Sequence, residues 1–456
     1  MPAVPESVLV ANRGEIARRI GRTARRLGIR VIAVHSDADA GLPFVTEADE
    51  AIEIGPASPA LSYLNGDAIL AAAATTGAQA IHPGYGFLAE NPAFARQVLD
   101  AGLTWIGPSP EAIEAMGDKI SARNLMREAG LPVAEGSEHA VLDADTAVRH
   151  AERIGYPVMI KAAAGGGGIG MSIAGDEAAL RAGFETARSR AERFFGSHAI
   201  LIERFIARAR HVEVQIVGLA DGRVIALGER DCSVQRRHQK LAEETPSPGV
   251  SAPLRERMLG AAVRAGEAVG YRGAGTVECL VDAETEDFVF LEMNTRLQVE
   301  HPVTEMVTGI DLVEQQLRIA DGADASFDPD RVRSVGHALE LRVYAEDPVR
   351  FLPSPGVIGQ WHEPAGTGVR VDAGYTAGNT VSPHYDPLLA KLVVHGTTRQ
   401  EALERASKAV ADFVISGPKT NLPFHAELLA SHAFASGIYD TAVVGGMRPA
   451  AGGHRG

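Results

Sequence analysis

Apolar strands alternate with amphipathic helices through the first hundred residues. The stretches SVLVA and RVIAVHS are strand-like, and GEIARRIGRTARRLG between them has helical periodicity. Further strands are predicted near residues 50–55, 79–82 and 103–107. This alternation predicts a parallel sheet covered on both faces, so we expect a doubly wound α/β domain over residues 1–115. Only Gly14 of a GxGxxG set is present, so no dinucleotide site is inferred.

A second region, residues 116–330, opens with a helix at MGDK. Another helix is predicted from Pro253 to Gly270, and strands lie between the two. The stretch HVEVQIVG alternates strictly, so three apolar and three polar side chains are expected on opposite faces. These are Val212, Val214 and Ile216 on one face, and His211, Glu213 and Gln215 on the other.

Two strands of this region flank a glycine-rich stretch. Four consecutive glycines occupy 165–168, and Gly170 follows. Such a run costs backbone entropy unless mobility or bare amides are needed. Lys161 precedes the glycines and no GK[ST] follows them, so this is not a Walker loop. The pattern favours a flap that folds over phosphates, with a flexible surface turn as the alternative.

Residues 288–300, FVFLEMNTRLQVE, place polar groups after an apolar strand. Alternation puts Phe288, Phe290, Glu292 and Asn294 on one face. A face that carries a carboxylate and an amide is not suited to an apolar core. The preceding strand TVECLV brings Glu278, and a loop over 282–286 would place it diagonally beside Glu292. Other registers are possible. Two carboxylates and an amide oxygen suit Mg²⁺.

The same alternation continues beyond the strand. It puts Arg296, Gln298 and Glu300 on the face of Glu292, so that a small anion could lie beside the metal. A hairpin with a charged solvent face is the alternative. A run of five basic residues further supports an anion site, namely Arg230, Arg236, Arg237, His238 and Lys240.

A third region, residues 331–446, reads as short strands rich in Gly and Pro, which predicts a small β-rich domain. Within it Arg342 lies on a strand that turns Leu339 and Leu341 inward, and a helix is expected from Arg399 to Phe413. Residues 447–456 are expected to be disordered.

Composition narrows the functional classes. The formal charge is 44 − 58, or −14, so nucleic acid is not expected as the principal partner. Two cysteines exclude a disulfide framework, and no stretch resembles a secretory signal or a membrane span. We expect a cytoplasmic protein. The chain has six lysines, and three of them, Lys119, Lys161 and Lys240, belong to the MGDK helix start, the glycine-rich stretch and the basic run.

Nine strings in order carry a family resemblance over about residues 7–445. They are ANRGEIA, AIHPGYGFL, MGDK, KAAAGGGG, HVEVQ, ERDCSVQRRHQK, GAGTVE, EMNTRLQVEHPVTE and FLPSPG. Together they resemble the biotin carboxylase component of biotin-dependent acyl-CoA carboxylases, in the ATP-grasp superfamily. The resemblance implies a pre-ATP-grasp domain, an ATP-grasp core with a mobile lid at about 132–204, and a C-terminal β-rich domain. It also implies a homodimer. The expected fold class is α/β, with α+β character overall.

The resemblance also implies the reaction and the residues that carry it. ATP and bicarbonate would give carboxyphosphate, which carboxylates biotin. The implied ATP contacts are Lys119, Lys161, Gly167, Gly168, Glu203, His211, Gln235 and His238. The implied ligands of Mg²⁺ or Mn²⁺ are Glu278, Glu292 and Asn294, with the two glutamates also counted among the cofactor contacts.

The resemblance also implies which residues bind the substrates and which are catalytic. The implied bicarbonate pocket comprises Lys240, Arg296, Gln298, Val299 and Glu300. Glu300 would accept the bicarbonate proton, and Arg342 would stabilise the biotin oxyanion. Lys240, Arg296, Glu300 and Arg342 are the expected catalytic set, with Tyr85 and Asp386 as supports of the biotin site.

Two positions depart from the family, and one absence is informative. Ile169 stands where an arginine is common, and Arg204 replaces a frequent lysine. Ile169→Arg should therefore change ATP affinity or turnover. None of the nine methionines is followed by lysine, so the Met-Lys pair that accepts biotin is absent from this sequence. A separate biotin carrier protein and carboxyltransferase subunits are the expected partners.

Two other functions are compatible with parts of the pattern. Another ATP-grasp ligase, of the carbamoyl-phosphate or peptide type, would share the flap and the metal hairpin. RRHQK and RLQVEHP favour bicarbonate over an amine or amino-acid acceptor. A non-catalytic nucleotide-binding subunit is the alternative from a different class, but it leaves the intact acids and bases without a role.

Overall fold

The N-terminal strands form a parallel sheet, as their alternation with helices predicts. The computed structural model describes residues 4–163 and 171–447. The strands are Ser7–Val10 (β1), Arg30–Ser36 (β2), Glu50–Gly55 (β3), Ala80–His82 (β4) and Thr104–Trp105 (β5). They pair in the order β3-β2-β1-β4-β5, every pair parallel. The helices around them are Gly14–Arg26 (α1), Pro43–Thr46 (α2), Gly66–Thr76 (α3), Pro92–Asp100 (α4) and Pro110–Gly117 (α5).

A small antiparallel sheet follows. Its strands are Val158–Ala162 (β6), Ser172–Ala174 (β7) and Ile200–Arg204 (β8), in the order β7-β6-β8. Its helices are Lys119–Glu128 (α6), Ala144–Ile154 (α7) and Glu177–Phe195 (α8). Asp118 caps α6 by accepting a bond from the Ser121 amide, which explains why a helix starts at MGDK. The glycines that join β6 to β7 lie outside the described residues.

The largest sheet has eight antiparallel strands and holds most of the polar residues singled out by the sequence. Its strands are Ala209–Gly218 (β9), Val224–Arg236 (β10), Gln239–Thr245 (β11), Gly273–Asp282 (β12), Phe288–Asn294 (β13), His337–Tyr344 (β14), Val369–Ala373 (β17) and Leu388–Gly396 (β19). Four short strands, Gly356–Val357 (β15), Trp361–His362 (β16), Thr380–Val381 (β18) and Val414–Ile415 (β20), form two further pairs, β15 with β18 and β16 with β20. The remaining helices are Ala252–Ala268 (α9), His301–Thr308 (α10), Leu312–Ala320 (α11), Arg399–Asp412 (α12), Leu422–Ala430 (α13), His432–Ser436 (α14) and Val443–Met447 (α15).

The large sheet crosses the expected limit between the second and third regions. Its order is β13-β12-β9-β10-β11-β14-β19-β17. Strand β14, from the third region, pairs directly with β11, with Ala242 opposite Leu341. The third region is β-rich as predicted, but three of its strands continue the sheet of the second region. The residue limits proposed for the domains stay a prediction.

Strand β9 is buried on both faces. Val212, Val214 and Ile216 join one apolar cluster with α9, as their alternation predicts. The opposite face carries His211, Glu213 and Gln215, which are also buried. Polar groups in such a position need partners, and they find them in the site described below. Among the described residues, no helix is long and apolar enough to cross a membrane.

Glu244 on β11 stabilises the junction between β11 and the C-terminal helices. Its carboxylate accepts hydrogen bonds from Arg399 at 2.7 and 3.0 Å and from the Tyr439 hydroxyl at 2.5 Å, and it contacts His337 Nε2 at 2.6 Å. Burial alone would raise the pKa of Glu244, but the bonds to His337 and Arg399 lower it to about 2.

We expect Glu244→Gln to lower the free energy of unfolding at pH 7 by about 3 kcal/mol, since each pKa unit corresponds to about 1.4 kcal/mol. The native pKa lies below the unfolded one, so this stability is present above about pH 4.5 and is lost as the pH falls towards about 2. Urea unfolding from pH 7 to pH 3 measures it, with Glu256→Gln on the exposed face of α9 as control. An equal gap at both pH values would contradict the assignment.

Candidate active site

One cavity of about 1130 Å³ lies where the N-terminal region, the small sheet and the large sheet meet. The predicted site residues that line it are Tyr85, Lys119, Lys161, Glu203, His211, Gln235, His238, Lys240, Glu278, Glu292, Asn294, Arg296, Gln298, Val299, Arg342 and Asp386. Glu300 is fully buried and is bonded to two of the lining residues. Gly167 and Gly168 lie outside the described residues, as does Ile169.

The wall formed by the small sheet and α6 carries two ammonium groups. Lys161 Nζ donates to Glu203 Oε2 at 2.5 Å, and Arg123 Nη1 lies 3.4 Å from Glu203 Oε1. Burial lowers the pKa of Lys119, which begins α6. An anion would stabilise both ammonium groups in this partly desolvated wall, which suits phosphate binding.

The β10–β11 hairpin presents two of its five basic residues to the cavity. Its two turn residues, Arg237 and His238, have φ of 49° and 68°, as a tight two-residue turn requires. Of the five basic residues, only His238 and Lys240 line the cavity. Arg230 is fully buried, and Arg236 binds the Phe351 carbonyl at 3.1 Å. The run therefore contributes His238 and Lys240 to the cavity wall, while Arg230 and Arg236 are bonded elsewhere.

A β-bulge sets the register of the acidic hairpin. Val281 pairs with Phe288 and Cys279 with Phe290, but Glu278 pairs with Glu292. The ladder therefore skips Leu291, so Glu278 lies directly opposite Glu292 rather than diagonal to it.

The bulge also corrects the predicted faces. Phe288 and Phe290 join Cys279 and Met293 in the core, while Glu292 faces the cavity. The shared face predicted for these two phenylalanines, Glu292 and Asn294 was therefore wrong. The extra residue reverses side-chain parity, which lets one strand seal the core and still present two polar groups at its end.

Glu278 is the hub of the polar network. Its Oε1 accepts from Lys240 at 3.0 Å, Asn294 Nδ2 at 2.9 Å and Gln298 Nε2 at 3.0 Å. Its Oε2 lies 2.8 Å from His211 Nε2. Burial alone would raise the pKa of Glu278, but Lys240 and His211 hold it well below the usual value. Glu278 is therefore an ionised carboxylate at neutral pH.

Lys240 joins three acids. Its Nζ lies 2.7 Å from Glu213, 3.0 Å from Glu278 and 2.6 Å from Glu300. Glu300 Oε2 also accepts from Arg342 Nη2 at 2.8 Å. Burial alone would raise the pKa of Glu300, but Lys240 and Arg342 hold it well below the usual value. Glu300 is thus a carboxylate clamped between two cations.

Arg296 bridges the hairpin to the N-terminal region. Its Nε donates to Glu90 Oε2 at 2.8 Å, and its Nη2 donates to Asn294 Oδ1 at 3.0 Å. Its Nη1 donates to Gln298 Oε1 at 3.0 Å. Strand β13 ends at Asn294, yet Arg296 and Gln298 still face the cavity, because these contacts hold the irregular loop that follows.

The hairpin residues fit a hard cation. Burial, and then the Glu278 charge, raise the pKa of Glu292. Opposed carboxylates of this kind are stabilised by a positive charge between them. Asn294 presents its nitrogen to Glu278 here, so its amide must turn over to offer an oxygen ligand.

Comparisons with known proteins agree with this geometry. Three family models cover the chain in order: "Biotin carboxylase, N-terminal domain" over residues 4–113, "Carbamoyl-phosphate synthase L chain, ATP binding domain" over 118–326 and "Biotin carboxylase C-terminal domain" over 340–445. A biotin carboxylase of Halalkalibacterium halodurans is 50% identical over 439 residues, which cover 96% of this chain and 97% of that protein.

Solved structures give the same result. The chain matches a biotin carboxylase–β,γ-ATP complex from Campylobacter jejuni with a TM-score of 0.94 and 44% identity, over 96% of this chain and 98% of that one. It matches the biotin carboxylase domain dimer of Hydrogenobacter thermophilus 2-oxoglutarate carboxylase, solved with MgADP, ADP and bicarbonate, with a TM-score of 0.92 and 43% identity, over 96% and 97% of the two chains.

The chain belongs to the biotin carboxylase family. It is an enzyme, an ATP-dependent ligase that carboxylates biotin. The central family model alone would also fit a carbamoyl-phosphate ligase, but the two flanking models separate the functions.

Sequence reasoning missed the roles of four acidic or basic residues of this biotin carboxylase site. Glu90 and Glu243 hold Arg296 and Arg342, while Glu213 and Arg230 form a buried pair at 2.6 Å beneath Lys240. The role of Glu213 could have been found from the alternation of HVEVQ. Glu90 is 206 residues from Arg296, and no local pattern indicates such a contact.

Proposed function

We propose that this enzyme activates bicarbonate with ATP to form carboxyphosphate and then carboxylates biotin presented by another polypeptide. One observation carries this proposal: the buried Glu300 carboxylate is clamped by Lys240 and Arg342, which both line the cavity. Lys240 also reaches the acidic hairpin through Glu278, so the cation site and the acid–base site share one network.

The phosphate end has residues suited to ATP and a divalent cation. Lys119, Lys161 and His238 would contact ATP, with Gly167 and Gly168 from the glycine-rich stretch. Glu203, His211 and Gln235 complete the proposed ATP set. Glu278, Glu292 and Asn294 would hold Mg²⁺ or Mn²⁺. The ion, when bound, would neutralise phosphate charge during transfer.

Bicarbonate would enter beside Arg296, Gln298 and Val299. An arriving anion competes for Lys240, whose contacts in this structure are three carboxylates. Drawing Lys240 towards bicarbonate weakens its hold on Glu300 and raises the basicity of that carboxylate. Glu300 can then accept the bicarbonate proton while the conjugate base attacks the γ-phosphorus, the bond from that phosphorus to the bridging oxygen breaks, and ADP leaves.

The second step needs a charge stabiliser near biotin. Removing the ureido N–H proton leaves negative charge on the carbonyl oxygen, which Arg342 is placed to bind. Phosphate released from carboxyphosphate is the proposed base. Tyr85 and Asp386 also line the cavity and would frame the ring.

Arg342→Met should separate the two steps. We expect bicarbonate-dependent ADP formation to stay within about tenfold of wild type, whereas carboxylation of free biotin falls by about 10²–10³, as is typical when an oxyanion donor is removed. Coupled ADP detection and ¹⁴C-carboxybiotin counting measure the two rates, with Arg342→Lys as the variant that keeps the charge.

The outcome bears on the rival functions. No stimulation of wild-type ADP formation by bicarbonate would contradict the proposal and favour another ATP-grasp ligase. ATP binding without turnover, with biotin supplied, would favour a non-catalytic subunit.

Partners follow from the chemistry of the product. Carboxybiotin must pass its carboxyl group to a carbon acceptor, which requires a carboxyltransferase. A separate biotin carrier protein is part of the proposal, and covalent biotin in the mass spectrum of this polypeptide would contradict it. The dimer named for the 2-oxoglutarate carboxylase domain supports a homodimer. Cytoplasmic location stays a prediction.

A further inference from the structure

Lys391 is a fully buried lysine that the proposed chemistry does not use. It lies on β19, opposite Arg342 of β14 and Asp372 of β17, and none of its side chain is exposed. Burying an ammonium group is costly unless it is paired and hydrogen-bonded. Its polar contacts therefore indicate what the charge is for.

Those contacts are a backbone carbonyl and one acid. Lys391 Nζ donates to the Val299 carbonyl oxygen at 2.9 Å and lies 3.1 Å from Glu15 Oε2. Asp372, although directly opposite, is paired instead with Arg22 at 2.5 Å and Arg370 at 2.6 Å. Lys391 therefore fixes the peptide that leads into Glu300.

Glu15 extends this contact into the N-terminal region. It lies in the first turn of α1, is almost fully buried, and its Oε1 accepts a hydrogen bond from the Tyr85 hydroxyl. A Cβ on Gly374, just after β17, would lie 2.6 Å from the Glu15 amide nitrogen. The two regions thus meet here without room for a side chain, and Glu15 cannot shift outward along that path.

We propose that Lys391 and Glu15 are positioning residues, which form a buried ionic link between the Val299 carbonyl and the Tyr85 hydroxyl. Val299 and Tyr85 both line the cavity. This proposal rests on the proposed function. In it, one ion pair sets the distance between Val299, beside the proposed bicarbonate site, and Tyr85, beside the proposed biotin site.

Simple neutralisation of buried acids does not explain the geometry. Glu340, on the neighbouring strand β14, is buried, and neither of its oxygens has a hydrogen-bond partner within the described structure. Lys391 is near enough to lower the pKa of Glu340, against the larger effect of burial. The ion pair of Lys391 is with Glu15 and not with Glu340, and its hydrogen bond goes to the Val299 carbonyl, through a charge-assisted bond that charge balance alone does not require.

The test is a double-mutant cycle in the full chain. Lys391→Met keeps the length of the stem and removes the donors. We expect it to lower kcat for carboxylation of free biotin by about 10- to 100-fold, because a small misplacement of reacting groups has effects of this size. KM for bicarbonate and for biotin should rise. KM for ATP should stay within about twofold, since the polar contacts of Lys391 are with Val299 and Glu15 rather than with Lys119 or Lys161.

The cycle separates a link from independent structural roles. Tyr85→Phe should raise KM for biotin in the wild-type background and add little in the Lys391→Met background, since the link is already broken. Lys408→Met, on the exposed face of α12, removes the same charge and should leave all constants unchanged. Additive effects of Tyr85→Phe and Lys391→Met, or an equal rise in KM for ATP, would overturn the inference.

A replacement cycle and a wild-type control make the test decisive. If Lys391→Met does not fold, as judged by its melting curve and ATP binding, the cycle between Glu15→Gln and Tyr85→Phe replaces it, with non-additivity again expected. If wild type shows no bicarbonate-dependent ADP formation, the proposed function fails. An active wild type with additive cycles overturns the positioning link alone.

Discussion

Replacing Glu300 by Gln is expected to lower kcat for bicarbonate-dependent ADP formation by about 10²–10⁴-fold, the range typical of a lost general base. The amide cannot accept the bicarbonate proton. It also weakens the clamp, because Lys240 and Arg342 both donate to the Glu300 carboxylate. The rate is measured with ATP and bicarbonate at saturation and biotin present.

The loss should appear in kcat rather than in ATP binding. Glu300 lies beneath the cavity and away from Lys119 and Lys161, so the Kd for ATP should stay within about twofold. Glu256→Gln is the matched control, being the same substitution on an exposed helix face. A variant that keeps more than a tenth of wild-type kcat would show that another group accepts the proton.

Replacing Glu278 by Gln is expected to raise the Mg²⁺ concentration for half-maximal activity at least about tenfold and to lower kcat by about 10²-fold, because one of two opposed carboxylates is lost. The fold should survive. The oxygen of the introduced amide can still accept from Lys240, Asn294 and Gln298, while its nitrogen donates to the other tautomer of His211.

A Mg²⁺ titration of ADP formation at fixed ATP measures the effect. Glu284→Gln lies in the loop of the same hairpin, is exposed, and serves as the control. Equal Mg²⁺ dependence of the Glu278→Gln variant and the wild-type enzyme would remove Glu278 from the metal site. A rise in both variants would indicate an effect of hairpin charge at a distance.

Local periodicity predicted the parts of this fold that depend on neighbouring residues. Three predictions are confirmed: the parallel N-terminal sheet, the strand at HVEVQ with apolar side chains on one face and polar side chains on the other, and the strand carrying Arg342. Each depends on a repeat of about 2.0 or 3.6 residues, which the chain displays directly. The hairpin face was wrong because one extra residue, Leu291, reverses parity within a strand that reads as regular.

Long-range pairing explains the other differences. The sequence shows five basic residues together, but Arg230 turns into the sheet towards Glu213 and Arg236 stacks on Phe351, with its guanidinium 4.4 Å from the ring centre. Which member of a charged run is buried depends on partners that are distant in sequence. The contact between Glu90 and Arg296 is of the same kind.

The continuous eight-stranded sheet has a consequence for dissecting this enzyme. A fragment ending near residue 330 would lose β14 and leave β11 with a row of unsatisfied backbone amides and carbonyls along an open edge. Such an edge invites aggregation, and Glu243 and Glu244 would lose their cationic neighbours along it. The two halves are therefore expected to be inseparable as soluble units, although family models divide them.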